Sequence, residues 1–330
     1  MCQYSSVDGH PTDWHLVHLG GLARGGAGLV MTEATAVTPD GRISPQDAGI
    51  WTDDQAAGYE RISRFIRSQG AVPGMQLAHA GRKGSTKAPW LGGGPLDAAD
   101  GPWTTVSASP LPYGDWPAPR ALSVEEITEL VAAWAAAAAR ADAAGFQVLE
   151  VHAAHGYLLH EFLSPLSNRR TDRYGGDLSG RSRLLIETVD AIRAVWPADK
   201  PLFVRVSASE WVDGGLGVEE VTEVARRLAD HGVDLIDVSS GGNSPRQRID
   251  VGPGYQVPFA RAVRRGSGLP VAAVGMITEP TQAEQILVDG SADAVMLARA
   301  VLRVPSWPQL AGRELGGDVY LPPQYLRARP

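Results

Sequence analysis

The densest group of reactive side chains lies between Val151 and Gly176, VHAAHGYLLHEFLSPLSNRRTDRYGG, where His152, His155 and Tyr157 follow an apolar run. Neutral imidazoles donate hydrogen bonds to a carbonyl oxygen and a phenol delivers a proton, so this trio suits polarising and protonating an electrophile. A second reading is a zinc site, since His-x-x-His at a strand end ligates zinc when a third ligand, such as Glu150 or Asp237, joins it. His160 and Glu161 read as polar groups satisfied within the fold, and Asn168, Arg169, Thr171, Asp172, Tyr174, Gly175 and Gly176 as a loop fixed by its own hydrogen bonds. The other oddity is Arg205 inside FVRVSAS (Phe203–Ser209). A guanidinium stays charged, so in an apolar run it needs an anion, an electron-rich ring edge or a carboxylate.

These residues sit at the ends of short apolar runs that alternate with helical patterns. Strands are expected at Ala27–Thr35, Val72–His79, Phe146–Ala153, Pro201–Ser209, Leu235–Gly241, Pro270–Ile277 and Ala294–Arg299. Helices are expected at Asp53–Gln69, Ser123–Ala144, Leu178–Trp196, Val218–His231 and Glu279–Val288. Ser123 with Glu126 forms a capping box and Gly145 stops the helix that it starts. Apolar, β-branched strands separated by helices mean a parallel sheet covered on both faces. No G-x-G-x-x-G turn follows a strand, which disfavours an open dinucleotide-binding sheet and favours a (β/α)₈ TIM barrel, a single domain over 1–330. Active-site residues of a barrel end the strands at its C-terminal face. Those ends carry Glu33-Ala34, Gln76 with His79, Arg205 with Ser207, Ser239–Gly241, Gly275-Met276 and Ala298-Arg299. The last two suit a phosphate, bound by loop amides with Arg299 as a charged fork.

Gly81–Ala121, rich in Gly, Pro and Trp, is too long for a plain connection and reads as a capping excursion over the barrel mouth, after the third strand of the barrel count. It carries Trp90, Trp103 and Trp116. Residues 322–330 read as a C-terminal arm. The formal charge of −7 excludes nucleic acid and anionic membrane as expected partners. A lone cysteine excludes a disulfide framework or an iron–sulfur site and fits a cytoplasmic enzyme. No apolar stretch is long enough to span a membrane and no secretory signal is visible.

The set as a whole resembles the Old Yellow Enzyme family, and within it the bacterial thermophilic-like ene-reductases. The resemblance runs through MCQYSS (Met1–Ser6), EATAV (Glu33–Val37), GRISPQDAGIW (Gly41–Trp51), QLAHAGRK (Gln76–Lys83), EVHAAHGYLLHEFLSPLSNRRTDRYGG (Glu150–Gly176), FVRVSAS, AVGMI (Ala273–Ile277), LARA (Leu297–Ala300) and PPQYLR (Pro322–Arg327). It implies an FMN-binding barrel that takes hydride from NADPH or NADH and passes it to an electron-poor alkene. His152 and His155 would hold the substrate's oxygen, flavin N5 would deliver hydride to the β-carbon, and Tyr157 would protonate the α-carbon. Gln76, Arg205, Ala34 and the Met1-Cys2 pair would contact the isoalloxazine, with Cys2 tuning its potential, and Gly275, Ala298 and Arg299 the phosphate. Tyr4 would face substrate, and Arg327 would reach into a neighbouring subunit of a homodimer or homotetramer. Two features depart from the family: Ala298 replaces a customary glycine, and the Trp-rich excursion is longer than in the shortest relatives. The family also places a first barrel strand ahead of MCQYSS. Seven strands are visible here, so Met1 is expected to be an internal methionine.

Overall fold

The computed structural model describes residues 1–328, so the last two residues of the expected C-terminal arm lie outside the described residues. Strands and helices alternate along the chain. The strands are β1 (Leu29–Ala36), β2 (Val72–Ala78), β3 (Val106–Ser107), β4 (Arg120–Ala121), β5 (Val148–Ala153), β6 (Leu202–Ser207), β7 (Leu235–Ser239), β8 (Val271–Ala273) and β9 (Ala294–Val295). The helices are α1 (Asp13–Arg24), α2 (Asp53–Ser68), α3 (Val124–Ala143), α4 (Leu158–Leu163), α5 (Leu178–Arg193), α6 (Val218–Asp230), α7 (Val257–Ser267), α8 (Pro280–Val288), α9 (Arg299–Arg303) and α10 (Trp307–Glu314).

Seven strands form one sheet in the order β1-β2-β5-β6-β7-β8-β9, every pair parallel. This is the α/β barrel arrangement that the alternation predicts. All six residues of β5 are buried, as a strand enclosed on both faces requires. The outer edges of β1 and β9 have no strand partner among the described residues, and both edges line the same cavity.

The helices form for local reasons. Ser123 accepts from Glu126 N while Glu126 Oε2 accepts from Ser123 N at 2.8 Å, the predicted capping box of α3. Helix α3 then buries Ile127, Leu130, Trp134, Ala137, Ala138 and Ala141, one stripe at helical spacing. Thr52 caps α2 in the same way. Helices α1, α4, α7, α9 and α10 were not among the sequence expectations. α4 and α9 have six and five residues, too short to show a period. α1 carries two glycines in its interior, and α7 follows a Gly-Pro-Gly turn and contains Gly266.

The predicted cap over Gly81–Ala121 has little regular structure: three 3₁₀ turns and the short parallel pair β3–β4. The N-terminal arm, Met1–Ser6, lies across the mouth because Gln3 N donates to Glu33 Oε2 at 2.6 Å and Ser6 N to Gln46 O at 3.0 Å. Glu33 is itself held by His15 Nε2 at 3.1 Å, both side chains buried. No helix of the described residues is long and apolar enough to cross a membrane.

Candidate active site

The C-terminal ends of the strands open into a cavity of about 940 Å³. Met1, Cys2, Tyr4, Ala34, Gln76, His152, His155, Tyr157, Arg205 and Ala298 all line it, so residues from six parts of the chain, the N-terminal arm and five strand ends, come together. Gly275, Arg299 and Arg327 do not line it. Gly275 sits in the turn after β8 with φ +118°, where a Cβ would lie 2.6 Å from Gln256 Nε2. Arg299 is exposed at the start of α9, and Arg327 is exposed in the C-terminal 3₁₀ segment.

His152 is the last but one residue of β5, which ends in Ala153, and the chain then turns sharply. His155 has φ +60° and Gly156 φ +72°, two consecutive left-handed residues. A β-carbon on a residue at that φ is strained, at a cost of about 1–3 kcal/mol. The turn is held by His155 N donating to Ser207 Oγ at 2.9 Å, and by Lys83 Nζ donating to His155 O at 2.8 Å and Gly242 O at 2.9 Å. Gly156 abuts the next loop so closely that a Cβ would lie 2.3 Å from Gly242 O. Gly156→Ala is therefore expected to destabilise the protein by at least the ~1–3 kcal/mol of a strained backbone. It should also displace His155 and Tyr157, which a urea unfolding curve and a ligand-binding isotherm would register together.

The result is three rings in edge-to-face contact: His152 lies 5.1 Å from His155 and 5.1 Å from Tyr157, centroid to centroid. Burial, reinforced by the Arg205 charge, holds both imidazoles well below the usual histidine range, so both are neutral at pH 7. Ser239 Oγ is 2.7 Å from His155 Nε2. The Ser239 hydroxyl also reaches Gln256 Oε1 at 3.4 Å, which takes the Ser240 hydroxyl at 2.6 Å, and its hydrogen bond to Nε2 fixes the orientation of the His155 ring. Burial, with the neighbouring Cys2 and Tyr4 adding to it, keeps the Tyr157 phenol protonated well above its usual range. Lys83 lies 5.0 Å over the Tyr157 ring, and burial lowers its ammonium to about 8.

Lys83, Ser207 and Ser239 hold the His155 turn; the sequence reading named the two serines only by their strand-end position and gave Lys83 no role. Lys83 closes the QLAHAGRK segment and the two serines end β6 and β7, so strand-end position was the available signal. Trp90 of the cap also lines the cavity, edge-on to Tyr4 at 5.5 Å. His160 and Glu161 are fully buried: His160 Nδ1 accepts from Gly156 N at 2.9 Å with its Nε2 3.1 Å from Glu210 but not aligned on it, and Glu161 Oε1 accepts from Arg82 N at 2.9 Å. Asn168 fixes its loop through Phe162 O and Tyr174 O, both at 2.7 Å.

On the barrel wall, Arg205 Nε lies 3.2 Å from Asp237 Oδ2, so the carboxylate partner considered for it is present, but the Nε–H is not aligned on it and stays unpartnered. Gln76 Nε2 donates to Glu150 Oε1 at 2.6 Å. Glu150 and Asp237 thus face Gln76 and Arg205, and no group of three or more metal-ligating side chains converges among the described residues. A large, mostly apolar cavity with an amide, an incompletely paired guanidinium and a half-buried thiol on its walls fits a planar heteroaromatic ring such as an isoalloxazine.

The family model described as NADH:flavin oxidoreductase / NADH oxidase matches residues 1–316. The chain is 46% identical over 330 residues to a protein named NADPH dehydrogenase from Geobacillus thermodenitrificans, covering 99% of this chain and 92% of that protein. Among solved structures, it superposes on a 2-naphthoyl-CoA reductase in complex with 2-naphthoyl-CoA at a TM-score of 0.85 and 26% identity, covering 96% of this chain but only 49% of the other. Morphinone reductase superposes at 0.80 with 25% identity, covering 98% of this chain and 86% of the other.

Proposed function

Because the chain belongs to the NADH:flavin oxidoreductase / NADH oxidase family, the Old Yellow Enzymes, and is an FMN-dependent NADPH or NADH oxidoreductase, we propose that it reduces electron-poor alkenes. The observation that carries the reading is the cluster of His152, His155 and Tyr157 facing the cavity, two neutral imidazoles beside a protonated phenol. FMN, when bound, supplies the two-electron store that links the nicotinamide to the alkene.

The remaining steps belong to the chain. His152 and His155 hold the carbonyl, imide or nitro oxygen of an enone, maleimide or nitroalkene. Neutral N–H donors strengthen as negative charge develops on that oxygen, which favours the transition state over the ground state. Tyr157 gives its proton to the α-carbon, and the Lys83 charge over its ring steadies the phenolate left behind. Gln76 and Arg205 would hold the pyrimidine edge of the FMN ring, Ala34, Met1 and Cys2 its other contacts, and Gly275, Ala298 and Arg299 its phosphate. Tyr4 and Trp90 border the substrate space. Arg327 is exposed, and we read it as reaching the site of a neighbouring subunit. Nothing in the described residues favours the zinc hydrolase reading.

Titrating the protein with FMN tests the first requirement: stoichiometric quenching of FMN fluorescence is expected, and bleaching of the bound flavin under anaerobic NADPH. A colourless protein that retains zinc would overturn the reading.

A further inference from the structure

Two carboxyl groups lie inside the barrel, and the reaction proposed above uses neither. Glu150 of β5 and Asp237 of β7 are both fully buried. Gln76 pairs in register with Glu150, and Arg205 with Asp237, so β6 stands between the two acids and supplies the nearby cation. Gln76 Nε2 satisfies Glu150 Oε1. Glu150 Oε2 and both oxygens of Asp237 have no hydrogen-bond donor among the described residues.

Three buried carboxyl oxygens without a donor are costly as they stand. The two carboxyls are within hydrogen-bond reach of one another, so a proton on one supplies a donor to the other. Charge leads to the same place: one guanidinium balances one carboxylate, and two carboxylates sharing a site do not both ionise. The groups facing the pair are Arg205 on β6, the neutral Gln76 on β2 and His152 further along β5; β8 places only Ala272 opposite Asp237. We propose that Glu150 and Asp237 hold a single proton between them, leaving Arg205 opposed by one negative charge and able to serve an anionic ligand edge in the cavity.

Burial and the Asp237 charge push the Glu150 carboxyl up to about 8, and burial raises Asp237 as well. Above that pH the trio carries a net negative charge beside the cavity; below it the trio is neutral. The sharing of the proton is independent of the functional reading, whereas its effect on FMN rests on that reading.

The test is infrared difference spectroscopy of the carboxylic-acid C=O stretch, comparing the wild-type chain with Glu150→Gln and Asp237→Asn. Buried acids elsewhere, Asp47 and Glu161, are common to all three proteins and cancel. The wild type should show at pH 7 a band that disappears with a midpoint of about pH 8. The band should be missing from both variants, because either acid left alone ionises against Arg205. A band that survives in Asp237→Asn would show an ordinary buried glutamic acid and overturn the sharing, as would a wild-type spectrum identical to that of Glu150→Gln. If Asp237→Asn does not fold, Asp237→Ser takes its place, and a band that survives there overturns the sharing in the same way. The second arm is the midpoint potential of bound FMN against pH. The wild-type potential should fall more steeply above about pH 8, and that of Glu150→Gln should not. Equal slopes would overturn the link to the flavin, and failure to bind FMN would overturn the functional reading while the infrared result stands.

Discussion

Tyr157→Phe is expected to slow alkene reduction by about a hundred- to ten-thousand-fold, the span that a positioned general acid contributes. The phenol is the protonated group in edge contact with His152, and burial keeps its proton in place throughout the neutral range. Phenylalanine keeps the ring, its packing on His152 and the Lys83 contact, so the substitution removes only the proton donor. Reduction of bound FMN by NADPH requires no proton from Tyr157 and should keep its rate. The loss should therefore fall on the second half-reaction alone. A matching loss in both halves would mean that Tyr157 shapes the pocket and does not protonate.

Arg205→Met carries the second large effect. The guanidinium is the cation beside two fully buried acids, and its own side chain is 22% exposed. Removing one partner of a buried ion pair costs about 3–5 kcal/mol, because the other charge stays behind unpaired. Here the stranded acids can neutralise by taking up protons. Their carboxyls are already raised by burial, and without Arg205 they rise further. A carboxyl whose folded value is raised contributes stability that is present at low pH and lost as pH rises through that value. The destabilisation should thus be smaller at pH 6 than at pH 8, which urea unfolding at the two pH values measures. FMN affinity should fall at both. Equal losses at both pH values would show that the acids do not respond to the loss of their counterion.

Much of the fold was visible in the sequence because a parallel barrel strand announces itself: LVMTEATA and VLEVHA are apolar and β-branched, and the helices α2 and α3 start at readable caps, Thr52 and Ser123. The missed helices had no such signal. α4 and α9 are shorter than two turns, and α1 places glycines where an amphipathic stripe would need side chains. In the site, His152, His155 and Tyr157 were legible because polar groups at the end of an apolar strand need a use. The acid pair was only half legible. Glu150 and Asp237 were noticed as candidate zinc ligands, but the register that sets them on either side of β6 is a long-range property of the sheet. The role of Ser239 in orienting the His155 ring depends likewise on a contact between residues 84 positions apart.

The cavity is proposed to pass electrons from a nicotinamide to an activated alkene. The direct measurement is an anaerobic spectrum of the FMN-loaded protein, first reduced with one equivalent of NADPH and then mixed with an enone or maleimide. The account predicts that the yellow absorbance returns on mixing and that one equivalent of the saturated product appears. Flavin that stays bleached until air is admitted, with the alkene recovered intact, would contradict it.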